Sequence, residues 1–243
     1  MLTLAKIRGA IAGLYIDRIV AVSNFVHRRS VDYSFLKGSK VRTIYNGIDC
    51  TRYKPAPVGK RGSSPLTVAF VGRLIPEKGI HLLLQATSSL MTGSSPRFKL
   101  LIAGRGKSAA ELRQYCEDEH LGSVEFLGHI DWIPELLSSA DIVVMPSECD
   151  EGFSYTVAEA MACGSCVLVS DRGAMPEAVG SGGEAGMTFR RGDAEDLAQK
   201  LGWLLQSADR RSDIGAKARV RIVNEFSIER MLNQYCSLFD ELR

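Results

Sequence analysis

Residues 141–164, DIVVMPSECDEGFSYTVAEAMACG, join a strand pattern to a glycine turn and then to a helix pattern. The run DIVVMPS is short and apolar, which is typical of a strand buried on both faces. After Gly152, the small residues Ala158, Ala160 and Ala162 allow a helix to pack closely on a sheet. Backbone N–H groups at the start of such a helix, together with its positive dipole end, bind phosphate. The stretch therefore predicts an α/β fold with an anion site at one edge of its sheet.

Two carboxylates lie eight residues apart in this stretch. Glu151 is expected in the loop that faces a ligand, and Glu159, about one turn into the helix, can accept hydrogen bonds from a diol. A phosphate site beside a diol acceptor suits a sugar nucleotide. The alternative is that Glu159 is a solvated helix residue and that Glu151 compensates the helix dipole.

Residues 71–79, VGRLIPEKG, place two cations near the same edge. The run LTVAFVG predicts a strand, Pro76 marks a turn, and GIHLLLQATSSL predicts the next helix. Arg73 therefore follows a strand and Lys78 precedes a helix, where ligands of open parallel sheets bind. A forked guanidinium and a compact ammonium can share a diphosphate there. Either cation alone is more often only solvated, so the interpretation depends on their placement with the two glutamates.

These motifs, GR-x4-KG, EGF-x4-AEAMACG and the run GAMPE at residues 173–177, resemble the donor-binding domain of retaining glycosyltransferases of family 4. That family has the GT-B fold of two Rossmann-like domains. Near the start, SNFVHRR and TIYNGIDCTRYKP resemble the segment that crosses between the two domains. Near the end, ARVRIVNEFSIERMLNQY resembles the terminal helices, so the resemblance extends over most of the chain.

The resemblance implies a role for each motif residue. Arg73 and Lys78 would hold the diphosphate, Glu151 would hold the transferred sugar, and Glu159 would hold the ribose. The remaining donor residues follow from Glu151 along the chain: Gly152, Phe153 and Ser154 at the sugar, and the amides of Tyr155 and Thr156 at the phosphate. Ser154 stands where the family often has glycine. Arg73, Lys78 and Glu151 are the catalytic candidates, because charge develops on the diphosphate when the anomeric C–O bond breaks.

The nucleobase neighbours are predicted from the loops after two further strands. Gly104, His129 and Ile130 are the candidates, although His129 is more simply an ordinary loop histidine. The run Gly104-x-Gly106 also mimics a dinucleotide fingerprint. That reading is weak, because an earlier strand precedes it and the acid about 20 residues on, Glu125, falls within a strand pattern.

The cysteine and histidine patterns favour no metal site. The pair Cys163 and Cys166 has redox spacing, but it lies at the end of a helix pattern, so we interpret both as buried small residues. The four histidines show no ligand spacing. We expect neither a metal nor another cofactor, since two fixed cations can replace a divalent ion at the diphosphate.

Strand and helix patterns alternate from residue 66 onward, which predicts a Rossmann-like parallel sheet with helices on both faces. The six strand runs are TVAFVG, FKLLIAG, SVEFLG, DIVVMPS, SCVLVSD and AGMTF. Before them we predict a helix at about residues 2–15, a strand at 17–23, a helix at 24–31 and a strand at 41–45. The proposed divisions are an incomplete tail of an N-terminal domain (1–50), a linker (51–65), the nucleotide-sugar domain (66–207) and C-terminal helices (208–243).

Charge separates the two regions. Through residue 60 there are 11 Lys and Arg against 3 Asp and Glu, whereas the remainder has 19 against 25. A basic front end suits an anionic membrane surface or an acidic neighbouring domain, and we favour the domain. Aromatic residues are few, which argues against nucleic acid. Without a membrane-span pattern or a secretory cleavage site, the chain is expected in the cytoplasm, with peripheral contact at the inner membrane face left open.

The predicted function is transfer of a hexose-type sugar from a nucleoside diphosphate sugar to an acceptor hydroxyl with retention. The family's first domain supplies a glycine-rich loop that cannot be assigned here, so the chain is interpreted as a C-terminal half. It is expected to need an N-terminal half, or to self-associate through residues 1–50. The alternatives are a binding module or remnant without transfer activity, and a sugar-nucleotide epimerase.

Overall fold

The computed structural model describes residues 15–34, 40–57, 61–62, 65–92, 98–180 and 182–243. The helix expected at residues 2–15 falls almost wholly outside them. The described residues contain the strands β1 (Ile19–Ala21), β2 (Val41–Thr43), β3 (Leu66–Val71), β4 (Phe98–Ala103), β5 (Val124–Gly128), β6 (Ile142–Met145), β7 (Cys166–Ser170) and β8 (Met187–Phe189). Each of the six strand runs predicted from residue 66 onward is confirmed, as are the two shorter strands before it.

The helices are α1 (Asn24–Ser34), α2 (Ile80–Met91), α3 (Ala109–Asp118), α4 (Ile133–Ser139), α5 (Tyr155–Ala162), α6 (Met175–Val179), α7 (Ala194–Leu205), α8 (Ala208–Glu225) and α9 (Ile228–Asp240). A short 3-10 turn, Pro76–Lys78, precedes α2. Serine or aspartate side chains cap the last three helices, since Asp193, Ser207 and Ser227 each accept a bond from an amide three residues on. Such caps satisfy amides that the helix itself leaves unpaired.

Six strands form one parallel sheet in the order β5-β4-β3-β6-β7-β8. This is the doubly wound order, in which the chain first builds outward from β3 through β4 to β5 and then returns to build from β6 to β8. The reversal places β3 and β6 side by side at the centre of the sheet, with Val68 opposite Ile142. The crevice above the carboxyl ends of these two strands is the topological switch point, where such folds bind ligands.

The helices that pack on the main sheet form two groups, α2 with α3 and α7, and α5 with α4, α6 and α8; the consecutive helices α7 and α8 also contact each other. Right-handed crossovers in opposite directions along the sheet put these groups on opposite faces. All residues of β6 and β7 are buried, as expected for strands covered on both sides. On α5, Ala158, Ala160 and Ala162 are fully buried against the sheet, which confirms the close packing predicted for that helix. The prediction of an α/β fold with a covered parallel sheet is therefore confirmed.

The described residues up to residue 50, called the N-terminal segment below, make a separate pair of parallel strands, β1 and β2, in which Ile19 lies opposite Val41. The chain then turns through Gly47, where a Cβ atom would lie 2.5 Å from the Cα of Ile228. Beside this contact, the amide of Ile48 donates to the carbonyl of Phe226 at 2.9 Å, between α8 and α9. The stretch after β2 and the junction of α8 with α9 thus meet where glycine permits close backbone approach.

Candidate functional site

The candidate site lies at the switch point between β3 and β6. Gly72 and Arg73 follow β3, and Pro146 and Ser147 follow β6, so both loops leave from the same edge of the sheet. Parallel strands end at one edge, which explains why residues distant in sequence meet there. Arg73 is exposed in this crevice.

Lys78 and Glu151 form an ion pair across the switch point, although 73 residues separate them. Both side chains are largely buried, with 15% and 14% of their surface exposed. The same carboxylate accepts a hydrogen bond from the Ser147 hydroxyl at 2.9 Å. The structure therefore brings Lys78, the predicted phosphate-binding residue, into direct contact with Glu151, the predicted sugar-binding residue. Sequence reasoning did not assign Ser147, although its place directly after the central strand β6 was a usable signal.

Two glycines allow the loops to hold this pair. Gly79 ends the turn that carries Lys78 with φ +66°, and a Cβ atom there would lie 2.0 Å from the carbonyl oxygen of Pro146. Gly173 has φ +64°, and a Cβ atom there would lie 2.5 Å from both the amide nitrogen and the carbonyl oxygen of Glu151. Left-handed backbone and close contact both exclude a side chain at these positions. The loops that carry Lys78 and Glu151 are consequently held in place by close backbone contacts with the neighbouring loops.

The loop after Glu151 leads into the start of α5. Ser154 precedes the helix with extended backbone and makes no side-chain cap, so the first helix amides, those of Tyr155 and Thr156 among them, are left without a capping side chain. Ser154 itself is buried, and Gly152 and Phe153 are partly buried. The ring of Phe153 packs edge-on against the exposed Tyr155 at 5.2 Å between centroids. An anion placed at this helix start would meet free N–H donors and the positive dipole end.

Glu159 lies one turn into α5 and is half-buried. Burial raises the pKa of its carboxyl above the usual range, and a hydrogen bond with Tyr53 and the charge of Arg52 act in the opposite direction. Burial and the nearby Glu159 raise the pKa of Tyr53 to about 12, so its hydroxyl stays protonated and can donate. Tyr53 is a site neighbour that sequence reasoning missed, because no local pattern ties it to α5.

A cavity of about 340 Å³ opens beside the switch point at the ends of β3, β4 and β5. Gly104, His129 and Ile130 all line it, together with Arg73 and Ile133. Gly104 has φ +145°, and a Cβ atom there would lie 1.8 Å from the carbonyl oxygen of Gly72. The three predicted nucleobase neighbours are therefore brought together, and Arg73 joins their cavity to the crevice. Glu159 is not among the residues that line it.

The cysteine pair Cys163 and Cys166 is reduced and buried, in agreement with the interpretation as small core residues. Burial raises the pKa of each thiol to about 12, which keeps the sulfur protonated and unreactive. Among the residues that the structure describes, no cluster of three or more His, Cys, Asp or Glu side chains could hold a metal ion. Within the same part of the chain, no helix is long and apolar enough to cross a membrane.

Comparison with known proteins gives one family for most of the chain. A family model described as "Glycosyl transferases group 1" matches residues 56–221. Phosphatidyl-myo-inositol mannosyltransferase of Mycolicibacterium smegmatis is 32% identical over 231 residues, covering 91% of this chain and 57% of its own length. Spore coat protein SA of Bacillus subtilis is 26% identical, covering 94% of this chain and 66% of its own length. This chain thus spans 57–66% of these two relatives.

Solved structures show the same architecture. HepE of Anabaena, determined in complex with UDP, superposes with a TM-score of 0.89 at 23% identity, covering 99% of this chain and 68% of that one. A second structure of HepE, in complex with UDP-glucose, gives a TM-score of 0.85 at the same identity. At this identity the likeness establishes the fold, and the fold is that of GT-B proteins.

Proposed function

Because this chain belongs to the group 1 glycosyl transferases, we propose that it is the donor-binding part of an enzyme that transfers a sugar from a nucleoside diphosphate sugar to an acceptor hydroxyl. The observation that supports this most directly is the contact of Lys78 with Glu151 at the switch point. It brings together Lys78, the proposed phosphate-binding cation, and Glu151, the proposed sugar-binding carboxylate, near the start of α5. The chain spans less than two thirds of its curated relatives, so the activity of the whole enzyme is part of the proposal.

The diphosphate lies, in this proposal, between Arg73, Lys78 and the first amides of α5. When the anomeric C–O bond breaks, negative charge accumulates on the diphosphate leaving group. Fixed cations and helix amides stabilise that charge more in the transition state than in the ground state, and this difference accelerates the reaction. Two cations at one diphosphate can replace a divalent metal, so we propose a metal-independent enzyme without another cofactor.

Glu151 orients the transferred sugar. Its carboxylate already accepts from Ser147 and pairs with Lys78, so it is held in one orientation before a donor binds. Lys78 can contact a phosphate oxygen while it stays beside Glu151, because an ammonium group has three donors. We therefore assign Glu151 to hydroxyl recognition. The backbone of Gly152, Phe153 and Ser154 continues the sugar site, and the amides of Tyr155 and Thr156 face the phosphate.

The nucleoside occupies the cavity lined by Gly104, His129 and Ile130, whose volume of about 340 Å³ falls within the range for small-molecule sites. Glu159 accepts hydrogen bonds from the ribose hydroxyls. The similar proteins differ in their sugar nucleotides, since one relative is named as GDP-mannose-dependent and HepE was solved in complex with UDP-glucose. We propose a hexose-type donor, with retention of configuration as in the family 4 enzymes that the motifs resemble.

The N-terminal segment supplies one side of the reaction site and contacts the acceptor side. The side chains of Val22 and Val26 lie 3.9 and 3.2 Å from the position of a Cβ atom on Gly152. This segment therefore borders the loop at residues 151–154, called the donor loop below. We propose that transfer needs an N-terminal half beyond it, with residues 1–50 as the tail of that domain, 51–65 as linker, 66–207 as donor domain and 208–243 as terminal helices. We also propose that the protein acts in the cytoplasm, where its basic N-terminal segment faces an acidic neighbouring domain or, as the alternative, an anionic membrane surface.

Isothermal titration with UDP, GDP and ADP, and with their glucose and mannose derivatives, tests the proposal. We expect one nucleoside diphosphate to bind clearly better than the others, and the isolated chain to transfer sugar slowly because the acceptor side is open to water. Absence of binding by every nucleotide would refute the donor site. Fast transfer by a verified monomer of this chain would refute the need for an N-terminal half, and binding without transfer in the presence of that half would favour a module without activity.

A further inference from the structure

Glu177 lies in α6, outside the crevice described above, yet it joins the N-terminal segment to the donor domain. Its carboxylate accepts a hydrogen bond from the backbone amide of Asn24 at 2.9 Å and another from the Tyr45 hydroxyl at 3.0 Å. Its second oxygen accepts from the Arg28 guanidinium at 3.1 Å. Only 17% of the Glu177 side-chain surface is exposed. Its carboxylate thus accepts hydrogen bonds from three groups that are more than 130 residues away in sequence.

The partners of Glu177 are themselves connected. Asn24 donates from its side chain to the Tyr45 hydroxyl at 2.7 Å and accepts from the Thr43 hydroxyl at 2.9 Å. Asn24 also begins α1, so the carboxylate satisfies an amide at the positive end of that helix. Burial and the charge of Glu177 raise the pKa of Tyr45 to about 12, which keeps its hydroxyl a donor. The first turn of α1 and the end of β2 are thus fixed to a single carboxylate.

The loop just before α6 holds Glu151. The amide of Ala174 donates to the carbonyl of Glu151 at 2.8 Å, and Gly173 lies against the Glu151 backbone. Asp150, the residue before Glu151, pairs with Arg172 of the same loop at 2.6 Å and with Arg29 of α1. A displacement of α6 or of the loop before it would therefore break or shift the backbone contacts of Glu151.

A row of aromatic rings makes a second connection from the same tyrosine. Tyr45 packs edge-on against Phe226 at 4.9 Å between centroids, and Phe226 packs against Phe153 of the donor loop at 6.3 Å. Phe226 is buried, so it cannot move independently of its neighbours. The polar contacts through Glu177 and the aromatic contacts through Phe226 both run from Tyr45 to the loop that carries Glu151.

We propose that Glu177 is a positioning residue that couples docking of the N-terminal segment to the placement of Glu151 in the donor-sugar site. When α1 and Tyr45 are docked, Glu177 has its three donors and the loop at residues 172–174 holds Glu151 in place. When they separate, a largely buried carboxylate loses its partners, and α6 and its loop relax toward water. The proposal deepens the donor function proposed above and rests on it for the role of Glu151.

Hydrogen exchange of the free chain tests the coupling without any ligand. In Glu177→Ala, amide exchange should accelerate about tenfold or more both at the start of α1 and at residues 151–154, because both lose the same support. Glu241→Ala is the matched control, since it removes another contact of the N-terminal segment, that with Arg42 at 2.7 Å, but touches no part of the donor loop. This control should leave exchange at residues 151–154 unchanged. Glu177→Gln keeps an acceptor oxygen while losing the charge, so it should give an intermediate acceleration.

Isothermal titration measures ligand affinities, which separate a positioning role of Glu177 from a general loss of stability. In Glu177→Ala the affinity for the preferred nucleoside diphosphate should stay within about twofold of wild type, and that for its glucose derivative should fall about fivefold or more. Unchanged exchange at residues 151–154, an equal effect of Glu241→Ala, or an equal loss for both ligands would each overturn the proposal. If the wild-type chain binds no nucleotide, the donor function fails, but the exchange measurement still decides whether Glu177 couples the two segments.

Discussion

Replacing Lys78 by alanine removes the cation that both supports Glu151 in the free protein and, as proposed, binds the diphosphate. In the free chain, Glu151 would keep the hydrogen bond from Ser147 at 2.9 Å but lose its ion pair. Both side chains are about 85% buried, so the pair is worth more than an exposed one, and we expect the free energy of unfolding to fall by about 1–2 kcal/mol. For a chain of this size that is a decrease of about 2–8 °C in melting temperature.

The effect on binding should be larger and specific for phosphate. A charge-assisted hydrogen bond contributes about 1.5–3 kcal/mol, so loss of one to the diphosphate should weaken its binding by about tenfold to a hundredfold or slightly more. The bare nucleoside has no phosphate and should bind Lys78→Ala within about twofold of wild type. Isothermal titration of both ligands measures this split directly.

Lys107→Ala is the matched control, because Lys107 is an exposed lysine on the loop after β4, at the same edge of the sheet. It should change neither the melting temperature nor the affinity for the diphosphate. If Lys78→Ala weakened nucleoside and diphosphate equally, or if Lys107→Ala had the same effect, the assignment of Lys78 to the phosphate would be wrong.

Two further predictions concern Glu159 and Gly79. Glu159 needs its charged form to accept from a diol without donating, and burial raises its pKa, so affinity for the diphosphate should begin to fall on acidification at a higher pH than for an exposed glutamate. Tyr53→Phe removes the hydrogen bond that opposes this pKa shift, so it should move the loss of affinity to still higher pH. Glu159→Ala should weaken binding of the diphosphate about tenfold to a hundredfold at neutral pH, and in that background Tyr53→Phe should have no effect. Identical pH profiles of wild type and Tyr53→Phe would contradict the pairing of Tyr53 with Glu159. Gly79→Ala should lower the free energy of unfolding by about 2 kcal/mol more than Gly192→Ala. Both glycines have positive φ, but only at Gly79 does an added Cβ atom meet backbone, 2.0 Å from the Pro146 carbonyl oxygen. Equal losses of stability in chemical denaturation would contradict a rigid contact at Gly79.

Local sequence patterns were enough to predict the strands of the main sheet and the helix that follows Gly152. Buried parallel strands read as short apolar runs, and each run predicted between residues 66 and 189 is a strand of the sheet. The helix after Gly152 was also predictable, because a run of small residues follows a glycine turn directly after a buried strand. These are local properties, so a single stretch of chain carries enough information to predict them.

The order of the strands and the partners of the site residues were decided only in three dimensions. Nothing within β3 or β6 states that they are neighbours, and that adjacency is what brings Lys78 to Glu151 across 73 residues. Tyr53 beside Glu159 and Tyr45 on Glu177 arise in the same way, from chain segments that meet after the sheet and the terminal helices have packed. Motif spacing nominates candidate site residues, but contacts between distant segments depend on how all the buried faces pack together, which no local pattern contains.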